Sequence, residues 1–242
     1  MGKIRFFAEG DSAIMVQFDD KICNETNFKI RNFVQALNEN PIKGVTDVIP
    51  TFCAALINYD PRLTKYSEIK EKLQKLLEIN VEAGNVKKRI VEIPVCYGGK
   101  FGPDMKRVVE HTNLTEDEII KIHSQKDYLI YMLGFLPGFA YLGGMDKRLN
   151  TPRLENPRLK IERGSVGIGG VQTGIYPLES PGGWNIIGLT PVKPYDSNKE
   201  NPFIYKAGDY IRFIPISEER YKEIELLCEK GKYECKCIEG EM

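Results

Sequence analysis

The chain has few of the residues that usually carry enzyme chemistry. Two histidines in 242 residues, His111 and His123, cannot assemble a multi-histidine metal centre, and no metal site is expected. The 34 basic and 34 acidic side chains cancel, which removes the positive field that nucleic acid or an anionic membrane surface would need. The first twenty residues contain Asp11, Asp19 and Asp20 and no long apolar run, the pattern of neither a signal peptide nor a membrane anchor. The 6 cysteines form no Cys-x-x-Cys pair, so neither a zinc knuckle nor a thioredoxin-type site is expected, and a cytoplasmic chain with free thiols is. Cys235 and Cys237 fall in a polar tail that reads as a frayed terminus. There is no Gly-Lys-Ser/Thr phosphate loop, no His-Glu-x-x-His and no Gly-x-Ser-x-Gly elbow.

What is present is an ordinary folded composition, 42% apolar and 28% charged, long enough for one large domain or two modest ones. The first part repeats a unit. Ile4–Phe7 and Ala13–Phe18 read as paired strands about Gly10-Asp11-Ser12, followed by a helix capped by Asn24 with Phe28, Ile30, Phe33, Val34 and Leu37 inward. Val45–Ile49, Cys53–Tyr59 and a helix capped by Ser67, with Ile69, Leu73, Leu76 and Leu77 on one face, repeat the pattern. Two such β-β-α units predict a small N-terminal α/β sandwich domain over residues 1–87. The polar run from Gly84 to Arg89 is the expected linker, and residues 88–242 form the second domain.

That second part opens with a strand at Ile90–Tyr97 and a short helix after Pro103. A capping box at Thr115-Glu116-Asp117-Glu118 starts a helix carrying Ile119, Ile122 and His123 on one face. From Gly134 to Pro194 the composition changes: 12 of the 22 glycines and 7 of the 14 prolines fall here. No run free of both exceeds 7 residues, so a helix of ordinary length cannot form. Aromatic and branched residues from Phe135 to Ile187, Val171 and Trp184 among them, argue against disorder, which leaves short strands and tight turns as in a β-barrel. Tyr210–Ile216 reads as a late strand, and Ser217 caps a last helix ending near Gly231.

The candidate chemistry lies in this Gly/Pro-rich stretch. Arg153 and Arg158 each follow a proline, and guanidinium groups on stiff loops grip carboxylate or phosphate bidentately; a structural salt bridge is the other reading of the same residues. Gln172, Thr173 and Tyr176, near Ser180-Pro181-Gly182-Gly183-Trp184-Asn185, supply the amide, hydroxyls and aromatic wall of a pocket for a small amide-like molecule. His123 reads either as a satisfied core imidazole or as a group orienting substrate. The glycines from Gly164 to Gly174 read as turns between strands, with phosphate cradling as the alternative.

Three motifs, Gly134-Phe135-Leu136-Pro137-Gly138-Phe139-Ala140-Tyr141-Leu142, Gln172-Thr173-Gly174-Ile175-Tyr176-Pro177 and Ser180-Pro181-Gly182-Gly183-Trp184, together resemble the KipI/PxpB family, also called allophanate hydrolase subunit 1. The resemblance extends over Ile93-Pro94-Val95, Phe101-Gly102-Pro103-Asp104 and the segment around His123, and weakens after Cys228. It implies an α+β chain whose N-terminal α/β domain precedes a cyclophilin-like β-barrel. It further implies a subunit of a 5-oxoprolinase that hydrolyses 5-oxoproline to glutamate with ATP and Mg, alongside a PxpC (KipA-like) subunit and a PxpA (LamB/YcsF-like) subunit. Urea amidolyase contains related domains acting on urea. KipI inhibits a sporulation histidine kinase, which makes such a kinase the alternative partner. Within the matched motifs, Arg153 and Arg158 are expected as anion clamps, Gln172 and Tyr176 as amide-orienting groups and His123 as acid/base. Phe135, Pro137, Phe139, Ser180, Gly183 and Trp184 are expected to contact substrate.

Overall fold

β1 (Arg5–Glu9) pairs antiparallel with β2 (Ala13–Gln17) around a turn in which Gly10 takes φ 60°. The computed structural model describes residues 4–79 and 88–240, and the chain divides into two compact units, Met1–Val86 and Lys87–Glu241. In the first unit α1 (Asn24–Glu39), β3 (Val45–Pro50), β4 (Ala54–Tyr59) and α2 (Tyr66–Ile79) complete two β-β-α passes. The sheet runs β1-β2-β4-β3, antiparallel throughout. Ile14, Val16, Ala55 and Ile57 from its strands meet Ile30, Phe33 and Leu37 of α1 and Ile69 and Leu73 of α2. Full burial of each large apolar side chain stabilises this layer by about 1.5–3 kcal/mol.

The expected helix caps shift. Cys23, not Asn24, occupies the cap position of α1, with extended backbone and no side-chain cap bond. Ser67 lies inside the first turn of α2, where its position cannot serve as a cap. Residues 84–87 of the expected linker lie outside the described residues, while Lys88 and Arg89 already belong to the next strand.

The second unit comprises β5 (Lys88–Tyr97), α3 (Met105–Thr112), α4 (Glu116–Ser124), β6 (Asp127–Leu133), β7 (Ala140–Gly143), β8 (Arg158–Ile161), β9 (Ser165–Gly169), β10 (Gln172–Ile175), β11 (Ser180–Gly182), β12 (Asn185–Leu189), β13 (Tyr210–Pro215), α5 (Glu218–Glu229) and β14 (Cys237–Gly240). Seven strands follow the order β10-β9-β12-β5-β13-β6-β7, and β14 adds to β5. The end strands β7 and β10 lie side by side, so the sheet curls into a nearly closed barrel. β13 runs parallel to β5, and the other pairings are antiparallel. β8 and β11 form a separate two-stranded ribbon.

Within the Gly/Pro-rich stretch the described helical structure is one short 3-10 turn, Lys147–Leu149. The barrel core is built from Val91, Ile93, Val95, Ile130, Val166, Ile168, Ile175, Ile211 and Phe213. The box at Thr115 and Glu118 caps α4 from both sides, and Ser217 caps α5. The tail is not frayed: Cys237–Gly240 pair with β5, and burial pushes the Cys235 thiol up to about 12. Among the described residues no helix is long and apolar enough to cross a membrane.

Candidate active site

The Gly134–Phe139 motif leaves the barrel at the end of β6 and turns twice before re-entering at β7. The Leu136 amide donates to the Gly134 carbonyl at 2.7 Å, and the Phe139 amide to the Leu136 carbonyl at 2.9 Å. The second turn has Pro137 at its first corner and Gly138, with φ 81°, at its second, the residues a type II turn requires. Together the turns place Phe135 and Phe139 edge to face, ring centroids 5.5 Å apart.

Phe139 roots a satellite core with Ile161, Tyr176, Trp184 and Ile186. Trp184 is seated by the glycines of β9 and β10. A Cβ on Gly169 would lie 2.3 Å from the indole Cδ1, and one on Gly174 would lie 3.1 Å from Cζ3. Gly182 similarly admits the Tyr176 hydroxyl, which a Cβ would approach to 2.4 Å. The glycine-rich segment thus makes room for an aromatic side chain, which accounts for its composition without a phosphate cradle.

On this floor sits a cavity of about 180 Å³ lined by Phe135, Phe139, Tyr141, Arg153, Gln172, Tyr176, Pro181, Gly182, Gly183 and Trp184. Seven of the residues singled out in the sequence meet here: Phe135, Phe139, Arg153, Gln172, Tyr176, Gly183 and Trp184. Arg153 is exposed and Gln172 half-buried, and among the described residues neither side chain has a hydrogen-bond partner. Burial raises the Tyr176 phenol, while the Trp184 backbone amide, donating to it, and the Arg153 and Arg158 guanidiniums oppose that shift. Tyr141, Pro181 and Gly182 were not expected as lining; Tyr141 follows Phe139 at the two-residue interval of a strand, a signal that was available.

Four expected site residues lie elsewhere. Pro137 is exposed at the turn corner, and Ser180 is buried in β11 without lining the cavity. Arg158 donates to Asp104 Oδ1 at 2.6 Å, while Asp104 Oδ2 accepts the Ile186 amide at 2.7 Å. Its charge is therefore committed to tying β8 to the N-terminus of α3 and β12, the salt-bridge reading of the sequence. His123 is fully buried, 0% exposed, in the barrel core. Its ring stacks on Phe213 with centroids 4.5 Å apart.

The His123 hydrogen bonds fix its tautomer. Thr173 Oγ1 donates to the Gly167 carbonyl at 3.0 Å, so at 2.7 Å it accepts from His123 Nε2–H. Nδ1 then accepts from the Tyr97 hydroxyl at 2.8 Å. Burial lowers the imidazole pKa to about 3 and raises the Tyr97 phenol well above its ordinary range. His123 thus has both ring nitrogens hydrogen-bonded in the barrel core and does not line the cavity.

The family model for the carboxyltransferase domain, subdomain C and D, matches residues 4–205. The chain belongs to this carboxyltransferase subdomain C and D family, and within it to the KipI/PxpB group. It is 40% identical over 222 residues to the B subunit of the Bacillus subtilis 5-oxoprolinase, covering 88% of this chain and 92% of that one. The B subunit of the Escherichia coli O157:H7 5-oxoprolinase is 37% identical over 219 residues, covering 90% and 99%. The crystal structure of the K. lactis urea amidolyase superposes with a TM-score of 0.79 over 99% of this chain and 16% of that one, at 18% identity. That last likeness shows the fold.

Proposed function

We propose that this chain is the B subunit of an ATP-dependent 5-oxoprolinase, acting with PxpC- and PxpA-like partners and inactive without them. The observation that carries the reading is the pairing of an unengaged guanidinium, Arg153, with an unengaged carboxamide, Gln172, in one small aromatic cup. 5-Oxoproline is a flat five-membered lactam bearing a carboxylate. The carboxylate suits the bidentate fork of Arg153. The lactam presents one N–H and one C=O, which the C=O and NH₂ of Gln172 complement. The aromatic walls supply the apolar contact for the ring. Two relatives named as the B subunit of 5-oxoprolinase, matched over nearly their whole length, support the same assignment.

The cavity does not fit a nucleotide. At about 180 Å³ it falls below the roughly 300–1,000 Å³ of sites that enclose drug-sized ligands, and Arg153 is its single cationic lining residue among those described. In this reading ATP is held outside the cavity by the partner chain. What this chain does is bind the lactam, orient its carbonyl and shield it from water.

The test is 5-oxoproline-dependent ATP hydrolysis by the reconstituted complex, with each subunit omitted in turn. Omission of this chain is expected to abolish turnover. Arg153→Ala is expected to raise the KM for 5-oxoproline about 10- to 100-fold while leaving the melting temperature within about 1 °C, since the side chain is exposed and unpaired. Absence of turnover by a complete, soluble set would refute the assignment.

A further inference from the structure

The Gly134–Phe139 motif holds a large side chain in a conformation that large side chains avoid. Phe135 has φ 62°, in the left-handed region where Cβ crowds the following carbonyl. The bond from the Leu136 amide to the Gly134 carbonyl, 2.7 Å, makes Phe135 the centre of a γ-turn of the strained, positive-φ form. The surroundings keep the turn from relaxing. The Gly134 amide donates to the Phe139 carbonyl at 3.1 Å, and the buried Tyr205 donates its hydroxyl to the Gly138 carbonyl at 2.8 Å.

Burial does not repay this conformation. Phe135 is 67% exposed, and among the described residues its one ring contact is the edge-to-face approach to Phe139. Its other attribute is place: it lines the cavity beside Arg153 and Gln172. Strain held in place by an over-determined framework, at the mouth of a pocket, points to a ligand contact.

We infer that Phe135 is a specificity-determining residue whose strained turn holds the ring over the cavity mouth as an apolar cover for the flat face of a bound lactam. The inference rests on the lactam reading above and adds how the site selects. By displacing water, the cover strengthens the carboxylate–Arg153 and amide–Gln172 bonds formed beneath it. It favours a planar ring over a small open amide, which reaches the polar groups but leaves the aromatic surface wet.

Trp184 is the sole tryptophan of the chain and lines the same cavity, so its fluorescence reports occupancy directly. The full chain, as wild type, F135A, F135G and F135L, is titrated with 5-oxoproline, pyrrolidinone, urea and inorganic phosphate. F135A and F135G are expected to weaken 5-oxoproline about tenfold, F135L by no more than about threefold. Glycine relieves a left-handed position that alanine does not, so F135G is expected to melt about 2–4 °C above F135A, the reverse of their order at an ordinary position. Unchanged lactam affinity in F135A and F135G would overturn the cover, and F135A melting above F135G would overturn the strain behind it. If the wild type answers to pyrrolidinone but not to 5-oxoproline, the 5-oxoproline assignment fails alone and the cover is judged on the same variants with that lactam, whereas a response to urea as strong as that to either lactam overturns the selection of a planar ring. Silence towards every amide probe overturns the cover itself.

Discussion

Acidification offers a direct reading of the buried His123 network. In the fold the imidazole titrates at about 3 because it is buried; in the unfolded chain it titrates at about 6.5. Above about pH 6.5 both states are neutral, and the ring contributes its full share of stability. As pH falls towards 3 the unfolded chain takes up a proton that the folded barrel refuses, so stability declines by up to about 1.4 kcal/mol per pH unit. From about pH 7 to about pH 5 the two pKa values give a loss of about 2 kcal/mol. Carboxylates begin to titrate only at the acid end of that window, and a variant that lacks the imidazole separates their share from that of histidine. The assay is urea unfolding followed by Trp184 fluorescence, which reports the barrel unit alone because the chain has no other tryptophan. His123→Asn is the reference: its absolute stability is expected to be lower, but its pH slope across the same window should be smaller by about one proton. A wild-type slope no steeper than that of the variant would refute the neutral, doubly bonded ring and the tautomer assigned from Thr173.

Two further substitutions probe the walls of the site. Asp104→Ala removes the acceptor of both the Arg158 guanidinium and the Ile186 amide, and is expected to destabilise the barrel by about 1–3 kcal/mol, measured by the same unfolding assay; a loss within error would show that the link is dispensable. Gly169→Ala would bring a Cβ to 2.3 Å from the Trp184 ring. It is expected to cost about 1–3 kcal/mol and to red-shift the Trp184 emission as the indole is forced from its seat, and an unchanged spectrum would contradict the packing.

How much of this was legible beforehand differs by element. The β-β-α repeat could be read because α1 and α2 each bury one face against the sheet, so the helical period survives in the sequence. The barrel was legible only by exclusion: Gly and Pro forbade helices, but the order of strands rests on pairings between residues far apart, which periodicity does not encode. Arg153 and Gln172 stood out by residue type within the motifs, and the fold brings both into the cavity lining. Arg158 resisted, since an arginine after a proline looks the same whether it waits for an anion or already holds Asp104. His123 resisted for a related reason: an inward face of its helix was predictable, but the hydroxyls of Tyr97 and Thr173 arrive from β5 and β10. The glycines of β9 and β10 read as turn formers, whereas Gly169 and Gly174 are small because an indole approaches from outside the segment.

β5 has one consequence for how the barrel comes into being. It is the first strand of its unit, yet β14 borders its opening residues, β12 its closing ones and β13 its other side. These partners arrive at residues 185–189, 210–215 and 237–240, so every bond that completes β5 spans most of the unit in sequence. Closing such long loops is entropically costly before any contact rewards it. During synthesis β5 therefore emerges as a strand with two open edges, and one of them stays partly open until Cys237–Gly240 are available to cover it.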